Sequence, residues 1–208
     1  MTVMTLDEIC ALAPVVPVIT IERVEDAEPL ARALVAGGLP ALEVTLRTDA
    51  AWDAIHAMQG VSGAVVGVGT LMNETDVERA AKAGCRFGVS PGSPGFLLEA
   101  AREAGLSILP GVATPTEAMD ALRHGCTLQK FFPAEANGGV PVLKAWAAPL
   151  AGIRFCPTGG VSLANARDYL ALSNVACVGG SWVVPGDLIG AGDWSRIEEL
   201  AREAAALR

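Results

Sequence analysis

The sequence predicts an α/β protein, a single-domain (β/α)8 TIM barrel with one extra helix ahead of its first strand, and three observations predict it. Eight β-rich runs recur along the 208 residues, at 15–20, 41–47, 65–70, 86–90, 107–112, 127–132, 154–157 and 176–179. Amphipathic stretches with helix start and stop signals separate them, which is the alternation of parallel strands with crossover helices. No Gly-x-Gly-x-x-Gly follows the first run, so an open doubly wound sheet fits less well. The length suits one domain over residues 1–208, with short loops and no room for a second.

The elements follow in order. Residues 1–10 carry acids and lack a basic segment leading into an apolar core, so no signal peptide is expected. The apolar stretch at 11–21 contains two prolines and falls short of the roughly 18 residues a membrane span needs. After the third strand, Asn73 opens a helix that stops at Gly84. Ser93-Pro94 reads as a cap followed by a proline at the first helical position, and that helix closes at Gly105. Thr114-Pro115-Thr116-Glu117 has the pattern of a capping box, with a stop at Gly125. Asp193 opens the last helix, which runs from Trp194 to Leu207.

Composition narrows the function classes. Hydrophobic residues make up 51% and charged residues 18%, against a usual charged share of about 25%. A chain so sparsely charged is expected to bury surface between subunits. The net charge of −8 argues against sequence-independent nucleic-acid binding. An anionic ligand must therefore be held by a local site rather than a global field. Cys10, Cys85, Cys126, Cys156 and Cys177 are scattered without a CxxC, as expected for reduced thiols in a cytoplasmic protein. His56 and His124 fall near the C-terminal ends of helices, and with no HExxH a metal site is not expected.

The polar residues of the strands carry the chemistry. Lys130 lies in Thr127-Leu128-Gln129-Lys130-Phe131-Phe132-Pro133 and is one of three lysines; Lys82 and Lys144 sit in helix-like contexts. Burial in a strand disfavours its ammonium form, and a neutral amine is a nucleophile toward carbonyl carbon. The same residue could instead snorkel to water or pair with a carboxylate. In the second strand, alternation puts Glu43, Thr45 and Arg47 on one face. Glu43 and Lys130 can then meet inside the barrel, as a structural ion pair or as a functional one. The third strand ends Gly67-Val68-Gly69-Thr70 and the fourth Val89-Ser90-Pro91-Gly92, small residues that allow either close ligand approach or an ordinary turn. Thr158-Gly159-Gly160 and Gly179-Gly180-Ser181 follow the last two strands, where barrels of this kind bind phosphate.

Four strings then carry a resemblance. Leu42-Glu43-Val44-Thr45-Leu46-Arg47-Thr48, Lys130-Phe131-Phe132-Pro133-Ala134-Glu135, Arg154-Phe155-Cys156-Pro157-Thr158-Gly159-Gly160 and Gly179-Gly180-Ser181-Trp182 resemble the 2-keto-3-deoxy-6-phosphogluconate (KDPG) and 4-hydroxy-2-oxoglutarate aldolases. The resemblance runs from Pro14 to the last helix and implies a homotrimeric, metal-independent class I aldolase without a cofactor, acting on a small 2-keto acid phosphate. It implies Lys130 as the Schiff-base lysine and Glu43 as the general acid/base. Arg47 and Thr70 would hold the pyruvate carboxylate, Pro91 and Phe132 would line the pocket, and Gly159, Gly160, Gly179, Gly180 and Ser181 would bind phosphate. Thr158 is the residue found in gluconate-type enzymes; the related galactonate type has an apolar residue there. Three other readings share parts of this set: a sugar-phosphate isomerase using Glu43 alone, a non-catalytic phosphosugar-binding barrel, and a metal-dependent aldolase.

Overall fold

Short parallel strands and the helices between them account for most of the chain in this computed structural model, which describes residues 4–207. The reading of residues 1–3 as part of an acidic leader-free N-terminus lies outside the described residues, as does Arg208 at the end of the domain. Helix α1 (Leu6–Ala11) precedes the first strand, and a capping box between Thr5 and Glu8 starts it. The strands are β1 (Val15–Ile19), β2 (Ala41–Thr45), β3 (Val65–Gly69), β4 (Gly88–Val89), β5 (Ile108–Leu109), β6 (Gly111–Val112), β7 (Leu128–Phe131), β8 (Arg154–Pro157) and β9 (Val178–Gly180).

Six strands pair in the order β5-β4-β3-β2-β1-β9 and three in the order β6-β7-β8, all parallel. The run expected as one strand at 107–112 is therefore two pieces. Pro110 divides them because it has no N–H for a ladder, and its carbonyl instead accepts from the Lys130 N–H at 2.8 Å. At the other margin, single bridges join Phe155 to Val175 and Thr158 to Gly179, beside β9. The result is a curled parallel sheet.

Ten helices lie among the described residues: α1, then α2 (Ala27–Ala36), α3 (Ala51–Gln59), α4 (Glu74–Lys82), α5 (Gly95–Ala104), α6 (Pro115–Arg123), α7 (Gly139–Trp146), α8 (Ala166–Leu170), α9 (Gly186–Ala191) and α10 (Trp194–Ala205). The expected caps at Asn73, Thr114 and Asp193 each accept a backbone N–H of the first turn. Ser93 is a correction. Pro94 itself is the N-cap of α5, because its ψ of 139° is extended and the helix begins only at Gly95.

Burial separates two cores. Outward residues such as Ile19, Leu42, Val44, Val68 and Phe155 pack under the helices. Inside the curl, Val16, Phe87, Leu109, Leu128 and Cys156 form a second cluster, to which α1 contributes Ile9 and Cys10. This apolar cluster reaches the level of Lys130, whose partner across β7 and β8 is Cys156. All five cysteines are free thiols, as expected. Burial pushes Cys85 up to about 11 and raises Cys126. Hydrogen bonds with Cys10 and Cys156, then burial, raise Cys177 well above the usual thiol range.

Candidate active site

Alternation along β7 decides where Lys130 points. Gln129 faces the helices, where its Nε2 donates to the carbonyls of Ala118 and Cys126. Phe131, on the same side, meets Trp146 of α7 edge to face at 5.2 Å. Leu128 and Lys130 therefore face the interior. There Lys130 is 5% exposed and Glu43 is 2% exposed, and Nζ lies 3.2 Å from Glu43 Oε1. The Phe132 ring centroid lies 5.0 Å from the same Nζ. The peptide bond from Phe132 to Pro133 is cis.

Glu43 fits because Gly69, diagonal to it across the strand pair, has no side chain. A Cβ on Gly69 would collide with the Glu43 carboxylate, and one on Gly67 with the Phe87 ring. The glycines of β3 thus make room for protein groups rather than for a ligand.

A cavity of about 190 Å³ opens at the C-terminal ends of β1, β8 and β9. It gathers Arg47, Phe132, Thr158, Gly159, Gly160, Gly179, Gly180 and Ser181. Strand β2 ends at Thr45, so Arg47 reaches this cavity from the segment after the strand rather than from its face. The Gly159-Gly160 turn has φ values of 97° and 79°, a conformation that glycine adopts without strain. Its carbonyls are all engaged: Ala134 N–H donates to Thr158 O at 2.7 Å, Glu135 N–H to Gly159 O at 3.0 Å, and Asn165 Nδ2 to Gly160 O at 3.2 Å. The Gly159 N–H faces β9 as part of the Thr158–Gly179 bridge, whereas among the described residues the N–H groups of Gly160 and Val161 have no partner in the protein. Consecutive free N–H groups of this kind accept an anion. Gly179 and Gly180 are small for a different reason: Thr158 Oγ1 and the Trp182 ring occupy the space their side chains would take.

Thr70 and Pro91 line clefts next to this cavity. Thr70, with φ of 65°, turns the chain after β3 and borders a cleft of about 510 Å³ that includes Thr48, Asp49 and Arg79. Pro91 borders an apolar cleft of about 170 Å³ with Leu71 and Leu97. Its carbonyl crosses the bare Cα of Gly111, which fixes that position. Besides Val161 of the glycine turn, three residues at the site have no counterpart in the sequence reading. Val18 and Thr20 of the first strand line the cavity. The strand's inward alternation, Val16-Val18-Thr20, ending on a polar residue, is the signal that could have found Thr20. Tyr169, fully buried on α8, donates to Glu135 Oε1, and Glu135 in turn packs against Gly160. No group of three or more His, Cys, Asp or Glu residues able to hold a metal ion occurs among the described residues.

A lysine and a carboxylate facing each other inside a parallel α/β sheet, one level below an anion-accepting turn, define an enzyme site for a phosphorylated carbonyl compound. The chain belongs to the KDPG and KHG aldolase family, whose profile matches residues 6–200. It is 52% identical to the KHG/KDPG aldolase of Escherichia coli (strain K12), over 95% of this chain and 93% of that one. The crystal structure of the 2-keto-3-deoxy-6-phosphogluconate aldolase of Zymomonas mobilis ZM4 with 3-phosphoglycerate superposes with a TM-score of 0.94. The identity is 48%, covering 97% of this chain and 95% of that one. KDPG aldolase from Legionella pneumophila, with pyruvate captured as a covalent carbinolamine, gives a TM-score of 0.93 at 43% identity, covering 96% of this chain and 98% of that one.

Proposed function

We propose that the chain is a class I aldolase that cleaves 2-dehydro-3-deoxy-6-phospho-D-gluconate to pyruvate and D-glyceraldehyde 3-phosphate, and 4-hydroxy-2-oxoglutarate to pyruvate and glyoxylate. The observation that carries the reading is the buried Lys130 Nζ 3.2 Å from Glu43 Oε1, near a cavity where the N–H groups of Gly160 and Val161 are free. The covalent pyruvate carbinolamine of the Legionella relative and the phosphoglycerate bound to the Zymomonas relative support the two halves of it.

Neutral Lys130 attacks the C2 ketone and forms a carbinolamine. Glu43 delivers the proton with which water leaves, giving an iminium. The C4 hydroxyl gives up its proton, through water, to Glu43. The electrons of the C3–C4 bond pass into the iminium, releasing glyceraldehyde 3-phosphate and an enamine. Protonation at C3 and hydrolysis of the imine then release pyruvate and restore Lys130. Arg47 presents a planar fork to the substrate carboxylate. Thr70, which follows β3 beside the Glu43 carboxylate's neighbour Gly69, shares the substrate carboxylate with Arg47, and Pro91, Phe132 and Thr158 line the pocket. Gly159, Gly160 and Ser181 receive the phosphate, with Gly179 and Gly180 shaping that wall.

The curled sheet reads as a (β/α)8 barrel in which β5 and β6 form one strand and α1 covers the N-terminal end. The exposed apolar side chains of Phe96 on α5 and of Met119 and Leu122 on α6 offer surface for a homotrimer, which light scattering tests. Five free thiols suit a reducing cytoplasm, and no described helix is long and apolar enough to cross a membrane. The electron sink is the iminium itself, so no metal or cofactor is needed. Pyruvate released from 2-dehydro-3-deoxy-6-phosphogluconate, measured with and without EDTA, tests the whole reading. Equal turnover in both supports it, and loss of turnover in chelator contradicts it.

A further inference from the structure

Thr20 sits at the C-terminal end of the first strand and lines the cavity between Arg47 and the phosphate-side turns. Its hydroxyl is oriented by a short chain of hydrogen bonds. Thr45 Oγ1 donates to the carbonyl of Ile19 at 2.9 Å, and a carbonyl can only accept. That donation uses the single hydrogen of Thr45. Thr45 Oγ1 also lies 3.1 Å from Thr20 Oγ1, so in that contact Thr20 is the donor. Thr48 Oγ1 donates to Ile21 O and holds the next carbonyl of the same segment. The hydrogens of both Thr20 and Thr45 are thus committed within the protein. What Thr20 turns toward the cavity is lone pairs, an acceptor beside Arg47, the free N–H donors of the glycine turn and the hydroxyls of Thr158 and Ser181.

Register gives the height of that acceptor. Val18 is level with Glu43, so Thr20 stands two residues beyond the reacting pair, about 6.6 Å toward the rim. A substrate with C2 at Lys130 and its phosphate at the Gly159-Gly160 turn passes this level with the carbons between cleavage point and phosphate. We propose that Thr20 is a specificity-determining residue: it accepts a hydrogen bond from the hydroxyl of the aldehyde half of the substrate, the group that becomes the C5 hydroxyl of the six-carbon acid. The inference rests on the aldolase reading above.

The condensation direction tests it. Pyruvate is combined with D-glyceraldehyde 3-phosphate or with 3-oxopropyl phosphate, which lacks only that hydroxyl, using wild type, Thr20→Val and Thr20→Ser. The expected result is a wild-type preference in kcat/KM for the hydroxylated aldehyde that falls about three- to tenfold in Thr20→Val and returns in Thr20→Ser. A Thr20→Val variant that slows both aldehydes equally, or a wild type with no preference, overturns the assignment. Borohydride trapping of pyruvate on the same wild-type sample separates the two claims. An adduct with unchanged aldehyde preference sinks the role of Thr20 alone, whereas absence of an adduct sinks the aldolase reading beneath it.

Discussion

The Glu43 carboxylate occupies the space that a side chain on Gly69 would fill. The two residues lie on neighbouring strands, and the acid can point at Lys130 only because Gly69 is bare. Gly69→Ala is therefore expected to push the carboxylate off Lys130. Misplacing a reacting group by about 1 Å costs on the order of 100-fold, while overpacking costs about 1–3 kcal/mol in stability. Steady-state kinetics beside a chemical melt should show a much larger loss of kcat than of folded protein.

Glu43→Gln keeps the shape of the side chain and removes its proton chemistry. Turnover is expected to fall about 10²–10⁴-fold with unchanged circular dichroism. Retention of normal turnover would assign Glu43 to structure alone.

The phosphate-side turn has its own support. Burial first, then the hydrogen bond to Glu135 and the charge of that carboxylate, raise the Tyr169 hydroxyl above the usual tyrosine range, so it remains a donor. Glu135 packs under Gly160 and its N–H holds the Gly159 carbonyl. Tyr169→Phe releases the Glu135 carboxylate. We expect KM for the phosphorylated substrate to rise about three- to tenfold, the worth of one hydrogen bond, with little change for 4-hydroxy-2-oxoglutarate. Equal effects on both substrates would reduce Tyr169 to a core residue.

The thiols set a limit at high pH. Burial lifts Cys85 from an ordinary 9.0 to about 11, so the folded protein holds this proton more tightly than the unfolded chain. Its contribution to stability is fully present below pH 9 and is lost as pH rises toward about 11. Denaturant melts at pH 8 and pH 11 should show a drop that is smaller in Cys85→Ala. At pH 8, alkylation of folded protein should spare Cys85 and Cys177, and denaturant should expose both.

How far the sequence reaches depends on the range of each rule. Capping at Asn73, Thr114 and Asp193 was legible because a cap and its partner lie three residues apart. The facing of Glu43 and Lys130 was legible from two-residue alternation in two separate strands. Ser93 misled because proline fits the N-cap as well as the first turn, and only the ψ of Pro94 separates them. Pro110 was visible in the sequence, yet its effect on the fifth strand needed the neighbouring ladder. Gly69 as room for Glu43, Thr20 as an oriented acceptor, and Tyr169 beneath Glu135 join residues 25 or more apart. No local pattern encodes such meetings, because sheet register and curl create them.

The most direct measurement is intact mass and peptide mapping after incubation with pyruvate and sodium borohydride, for wild type and Lys130→Ala. The account predicts one reduced pyruvate adduct, on the peptide bearing Lys130, and none on the variant. An adduct that persists on folded Lys130→Ala, or a wild type that turns over substrate without ever being trapped, would contradict it.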